Sequence, residues 1–275
     1  MQSNLLKRPL SHAAGGSTIT MLHDISWDTT EMAYTGLRVV DLKEGVEYEE
    51  HHRDRESCVV LLAGRADVKV SGVAYENLGR RNSPFDRVPT DSVYVPAGHP
   101  FRVRARTSLS IAIAYAPTTE GGYAPRLIRA EDNRVERRGK YQNQRLVHNI
   151  LSDQDQHAHR LLVVEVFTEG GHWSSYPPHK HDRDALPDES FLEEIYYHEI
   201  DPPQGFVLQR VYTDQRDIDE TFVVHHRDVV LVPRGYHPVG VPDGYASYYL
   251  NVMAGPVRIW KFYNDPAHEW ILKRA

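Results

Sequence analysis

The sequence predicts an all-β protein made of two barrels in tandem with little helix, and three observations carry that expectation. Short runs rich in Val, Ile, Tyr and Phe recur along the chain, punctuated by 17 prolines and 18 glycines, which is the pattern of sandwiches and barrels. No stretch spaces its apolar residues for a helix over several turns; only YNDPAHEWILK, residues 263–273, reads as a short one. The run Asp91-Ser-Val-Tyr-Val-Pro-Ala-Gly-His-Pro100 returns as Asp228-Val-Val-Leu-Val-Pro-Arg-Gly-Tyr-His-Pro238, with Asp, two Val, Pro and Gly in register at an offset of 137 residues. An offset of half the chain is too long for a solenoid repeat and indicates a second copy of one β domain.

The elements follow in order. In the first copy GLRVVDL (36–42), CVVLLAG (58–64), SVYVPAG (92–98) and SIAIAYA (110–116) are apolar, β-branched runs of strand length. The segment RAEDNRVERRGKYQNQR (129–145) is charged and without periodicity, so it reads as the connector, placing the copies at 1–135 and 136–275. The second copy repeats the idea with LLVVEVF (161–167), EIYYHEI (194–200), FVLQRVY (206–212), DVVLVPRG (228–235) and YYLNVMAG (248–255). In each copy a strand ends in a Pro-x-Gly turn that delivers a histidine.

Composition excludes several partners. With 32 basic and 38 acidic residues the net charge is −6, so no global basic footprint exists for nucleic acid or an anionic membrane. No apolar run approaches the roughly 18 residues of a spanning helix. The single cysteine, Cys58, allows no intrachain disulfide, and MQSNLLKRPL lacks the apolar stretch of a secretory signal. A cytoplasmic protein is the expectation.

The chemistry concentrates in SSYPPHKHD, residues 174–182. If that segment is extended, His179 and His181 point the same way, because side chains alternate on a strand. Glu194 then opens the strand EIYYH, and His237 follows the Pro-x-Gly turn of PRGYHP. Three imidazoles and one carboxylate suit a divalent first-row ion such as Zn, Mn, Fe or Ni. HxH alone is a weak signal among 16 histidines; the ordered set HxH, Glu, PxGxH is a stronger one. Glu193 is the alternative third ligand, and alternation sends it and Glu194 to opposite faces. With Glu194 inward, Tyr196 and His198 line the pocket behind the ion. The first copy offers His51, His52, Glu56 and His99 but no HxH, so a degenerate copy that serves as scaffold or in dimerisation is expected there.

Taken together, HxH, Glu and PxGxH on a duplicated β domain resemble a bicupin, two tandem double-stranded β-helix (jelly-roll) barrels. GGHWSSYPPHKHD, DVVLVPRGYHP and YYLNVMAG resemble more narrowly the 5-deoxy-glucuronate isomerase family of myo-inositol catabolism, over nearly the whole chain. A related family is the pectin-derived 4-deoxy-L-threo-5-hexosulose-uronate ketol-isomerase. The resemblance implies an aldose-to-ketose isomerisation of a uronate through a metal-stabilised enediolate, with the metal quartet on His179, His181, Glu194 and His237. The ketol-isomerases have a shorter interval from HxH to Glu than the one DRDALPDESFLE fills here, which leaves Glu193 and Glu194 both in play.

Isomerisation also needs a proton carrier and a group for the substrate carboxylate. Glu194, Lys180 and Tyr196 are the first candidates for catalysis, with His172, Glu165 and a metal-bound hydroxide beside them. Arg183, just past HxH, is the nearest guanidinium for a carboxylate, and Gln209 and Arg210 follow, only one of which can face inward. A metal-dependent cupin dioxygenase and a non-catalytic sugar-binding bicupin are the rival readings. By analogy of fold alone, a homo-oligomer is expected.

Overall fold

The computed structural model describes residues 4–10 and 17–274. Its elements are strands and short 3-10 turns, with no α-helix among the described residues. The helix expected over 263–273 is corrected: Tyr263–Asn264 is a strand and only Glu269–Lys273 coils, as a 3-10 turn. Tyr263 and Asn264 are held out of a helix by pairing with Lys180 and His179.

The chain divides into two compact units. The C-terminal unit comprises Met1–Arg8, Val135–His148 and Val164–Ala275, and the N-terminal unit Pro9–Arg134 and Asn149–Val163. A single cut between 135 and 136 therefore differs from the structure in two segments. Leu6–Lys7 joins the C-terminal unit because it pairs antiparallel with Val230 and Val229, satisfying backbone groups that a sheet edge leaves open. The backbone amides of His159, Arg160 and Leu161 are bonded to Glu56 at 2.7–2.8 Å, which ties that stretch into the N-terminal unit.

In the N-terminal unit six strands run in the order Arg126–Ile128, Ser92–Val95, Arg55–Ala63, Leu109–Pro117, Gly36–Leu42, Ile19–Ile25. Four more run Glu47–Glu50, Phe101–Ala105, Ala66–Val70, Val73–Leu78. Along Phe101–Ala105 the residues alternate, Phe101, Val103 and Ala105 buried and Arg102 and Arg104 exposed, so period two sets the core face. Val59, Leu61, Ile111 and Ile113 of one sheet form one apolar cluster with Val68, Val70, Phe101 and Val103 of the other. Each such side chain contributes roughly 1.5–3 kcal/mol.

The C-terminal unit repeats the arrangement. Its larger sheet includes, in order, Leu6–Lys7, Val229–Val232, Glu193–Asp201 and Ala246–Ala254. The smaller runs Trp173–Ser174, Val239–Gly240, Phe206–Tyr212, Asp219–His225. Strands Ser92–Val95 and Leu109–Pro117 recur as Val229–Val232 and Ala246–Ala254, each displaced by 137 residues. Each pair flanks a nine-residue strand, Arg55–Ala63 in one unit and Glu193–Asp201 in the other. Ser57 lies opposite Val95, and Glu194 lies opposite Val232. The place of Glu194 is thus held by a serine in the N-terminal unit.

Candidate metal centre and active site

Three chain segments deliver the site. His179 and Lys180 form a two-residue strand whose extension carries His181, with the amide of Leu192 donating to the His181 carbonyl at 2.9 Å. Glu194 stands near the start of the central strand. His237 follows the Pro-x-Gly turn, where Gly235 has φ +96° and a Cβ would lie 2.5 Å from the Tyr212 carbonyl oxygen. Only glycine fits that turn, and the amides of Gly235 and Tyr236 fix it by donating to Asp182 Oδ2 at 3.0 Å and the Tyr212 carbonyl at 2.7 Å.

His181 Nε2 lies 2.8 Å and His237 Nε2 3.0 Å from the same oxygen, Glu194 Oε2. All three residues are buried, and one ligand atom of each falls within 4.8 Å of the others. His179 stands beside the group, its ring edge-on to that of His237 at 5.1 Å and tilted to that of His181 at 6.4 Å. Glu193 is not in the cluster; it faces the other side of the sheet, opposite Ala254 in register. Asn251 donates to Glu194 Oε1 and holds the carboxylate from behind.

The hydrogen bonds decide what this cluster can hold. His181 Nδ1 meets the Leu192 carbonyl at 2.8 Å and His237 Nδ1 the Gly235 carbonyl at 2.8 Å. A carbonyl only accepts, so each Nδ1 carries a proton and each ring presents Nε2 to the carboxylate; burial lowers the His181 pKa, but Glu194 outweighs burial and raises it. Two imidazole nitrogens and a carboxylate oxygen thus converge in a buried site, the residue types and spacing that a divalent cation takes as ligands. The donor set of His181, Glu194 and His237 fits a divalent ion, and His179 beside them is the residue that could add a fourth ligand. Burial pushes the Glu194 carboxyl up, but His237 and His181 outweigh it and hold the group well below the usual range. Burial and the two neighbouring histidines keep His179 well below its ordinary value, hence neutral.

Behind the cluster, Tyr196 Oη shares a 2.9 Å hydrogen bond with Ser175 Oγ, and its ring lies 5.8 Å from that of His237. Burial and Glu194 raise the Tyr196 phenol well above its usual value, so it keeps its proton. His198 Nε2 meets Gln209 Oε1 at 2.9 Å, and burial lowers its pKa to about 4, so the ring is neutral and donates.

Other expected positions go elsewhere. Lys180 alternates away from its flanking histidines and binds Asp182 and Asp214 at 2.8 and 2.7 Å; burial lowers its pKa, but the two carboxylates outweigh burial and raise it. Arg183 is exposed, pairs with Glu189 at 2.9 Å and stacks on Tyr263. Gln209 is the inward member of its pair, and Arg210 turns out to Asp219 at 2.8 Å. Glu165 accepts from Tyr248 Oη at 2.8 Å, and His172 Nδ1 donates to the Gly170 carbonyl at 3.0 Å.

The candidate histidines of the N-terminal unit, His51, His52 and His99, make separate contacts. His51 meets the Gly98 carbonyl, His99 meets Ser71 Oγ, and His52 meets Glu50 at 2.7 Å. Glu56 is taken by Tyr94 Oη at 2.6 Å and the three amides of 159–161.

Two features were not anticipated from the sequence. Asn251 had one signal, an amide inside the apolar run YYLNVMAG. The other is a cavity of about 480 Å3 with His179 in its wall, lined also by Lys140, Arg145, Phe262 and Arg274. Its basic residues sit in the polar connector and at the chain end, where charge ordinarily means solvent exposure.

Two jelly-roll units in one chain, one of them enclosing a histidine and carboxylate cluster, define a bicupin. The fold is shared with an oxalate decarboxylase from Lactobacillus farciminis solved as a formate complex, 12% identical, covering 100% of this chain and 92% of that one at a TM-score of 0.71. The chain belongs to the KduI/IolB family, whose model matches residues 5–271. An IolB-like protein from Salmonella typhimurium LT2 is 47% identical at a TM-score of 0.93, over 98% of this chain and 100% of that one. The 5-deoxy-glucuronate isomerase of Halalkalibacterium halodurans is 55% identical over 271 residues, 98% of this chain and 100% of its own length. That of Bacillus subtilis strain 168 is 54% identical over 272 residues, 99% of this chain and 100% of its own. No helix among the described residues is long and apolar enough to cross a membrane.

Proposed function

We propose that this chain isomerises 5-deoxy-D-glucuronate to 5-dehydro-2-deoxy-D-gluconate, with a divalent metal ion held by His179, His181, Glu194 and His237. The observation that carries the reading is the convergence of two Nδ1-anchored imidazoles on one Glu194 oxygen, in a chain more than half identical over its length to named isomerases. The reaction is internally balanced. The C2 proton moves to C1, the C2 hydroxyl proton is released as that carbon becomes the carbonyl, and the former aldehyde oxygen gains a proton, so no oxidant enters.

When bound, the ion supplies Lewis-acid stabilisation of the negative charge that develops on the substrate oxygens. The protein's own groups do the rest. Glu194 stays a carboxylate and sets the charge of the site, and the backbone carbonyls of Leu192 and Gly235 keep both imidazoles in the ligating tautomer. Tyr196 retains its phenolic proton and serves as a hydrogen-bond donor to the oxygen that is protonated. Lys180 is no base here, since two carboxylates hold its proton.

The test is metal analysis of the purified protein together with conversion of 5-deoxy-glucuronate before and after chelation. The account expects turnover to fall with the metal content and to return on adding a divalent ion, with no oxygen consumed. Full turnover in metal-free protein refutes the metal assignment, and oxygen uptake by iron-loaded protein in place of isomerisation refutes the reaction.

A further inference from the structure

The cavity at His179 has a charge character that the metal ligands do not explain. Lys140, Arg145 and Arg274 line it, and no Asp or Glu does. The neighbouring cavity that Arg183 lines differs, because Asp188, Glu189 and Glu269 share its wall. Arg145 NH1 donates to the Asn143 carbonyl at 2.9 Å, and among the described residues no carboxylate pairs with it. Arg183 and Arg210 by contrast each hold one. A guanidinium drawn out of water without an anion is unfavourable, and its planar fork matches a carboxylate. Opposite polarity stands nearby: Phe262 and Leu272 form an apolar stretch of the same wall.

We infer that Arg145 binds the substrate's C6 carboxylate and sets the enzyme's preference for acids, with Lys140 and Arg274 adding to the positive field. This inference rests on the isomerase reading. With the carboxylate on Arg145, the aldehyde end of the same molecule reaches toward His179 and the cluster, and the C5 methylene meets the apolar stretch. A cavity of about 480 Å3 is in the range of small-ligand sites, roughly 300–1,000 Å3. Arg145 is thus a substrate-binding, specificity-determining residue.

The test compares wild type, R145K and R145Q on 5-deoxy-glucuronate and on its neutral counterpart with a C6 hydroxymethyl group. For R145Q the expected result is a loss of roughly 10²-fold in kcat/KM on the acid, mostly in KM, with the neutral sugar little changed; R145K recovers part of the loss. Calorimetry with the C1 alcohol made by borohydride reduction of the substrate, which cannot isomerise, reads binding separately from turnover. Wild type binds this alcohol and R145Q binds it at least tenfold more weakly. If R145Q keeps wild-type kcat/KM and alcohol affinity, or loses activity equally on acid and neutral sugar, the assignment of Arg145 falls while the isomerase reading stands. If wild type binds the alcohol through Arg145 yet converts no 5-deoxy-glucuronate, the isomerase reading falls instead.

Discussion

Glu194→Gln is expected to strip the metal and to lower kcat/KM by roughly 10²–10³-fold, the scale of a few kcal/mol of lost charge stabilisation. Glu194 is the one carboxylate in a cluster otherwise made of imidazoles, and its Oε2 faces both Nε2 atoms. Glutamine keeps the shape but removes the charge, and its amide N–H groups would satisfy a bare imidazole nitrogen directly. The fold should survive, because the new amide finds partners where the carboxylate did. Metal content by mass spectrometry and initial rates check both halves. Glu193→Gln is the control, since Glu193 lies on the opposite face of the same strand, and it should keep its metal. An E194Q protein with full metal and a rate within about threefold of wild type contradicts the site.

Glu50→Gln should cost stability without touching the metal centre. In the N-terminal unit the Glu50 carboxylate accepts from Arg38 NH1 at 2.6 Å, Tyr115 Oη at 2.5 Å and the His52 ring at 2.7 Å, and also from Tyr48 Oη. Burial pushes its pKa up, but those four partners outweigh burial and bring it down to about 2. A depressed carboxyl stabilises the fold above its unfolded pKa of about 4.5 and loses that contribution as pH falls through the folded value. The shift corresponds to about 3 kcal/mol, fully present above about pH 5 and gone near pH 2. Denaturant unfolding of wild type and E50Q between pH 7 and pH 2.5 reads this directly. Wild type should lose stability across the window, whereas E50Q starts lower by a similar amount and has a flatter profile. Parallel profiles for the two proteins would falsify the assignment.

How legible the site was depended on distance along the chain. The HxH pair was readable because prolines before it favour extended backbone, and two positions on a strand share a face. His237 was readable because the Pro-x-Gly turn repeats one found 137 residues earlier, and a turn aims the residue that follows it. Between Glu193 and Glu194 alternation showed only that one of the two faces the histidines; the contacts of Glu194 Oε2 with His181 and His237 come from segments that the sequence alone does not bring together. What stayed hidden came from residues far apart in sequence. Lys180 finds Asp214 34 positions away, so a lysine between two ligands looked available when it was already paired. Arg145 lay in a connector that composition marked as solvated. Arg183, the nearest guanidinium to HxH by sequence, turned to Glu189 six positions on. The exchange of Leu6–Lys7 into the C-terminal unit rests on edge pairing, which two residues cannot announce.

The most direct measurement is an anomalous difference map from crystals of active enzyme, collected at the absorption edge of the metal found in it. The account predicts one peak in the C-terminal unit, about 2.0–2.2 Å from Nε2 of His181 and of His237 and from a Glu194 oxygen, with His179 completing the set. A fully active enzyme whose map shows no peak there, or whose ion sits on other residues, contradicts it.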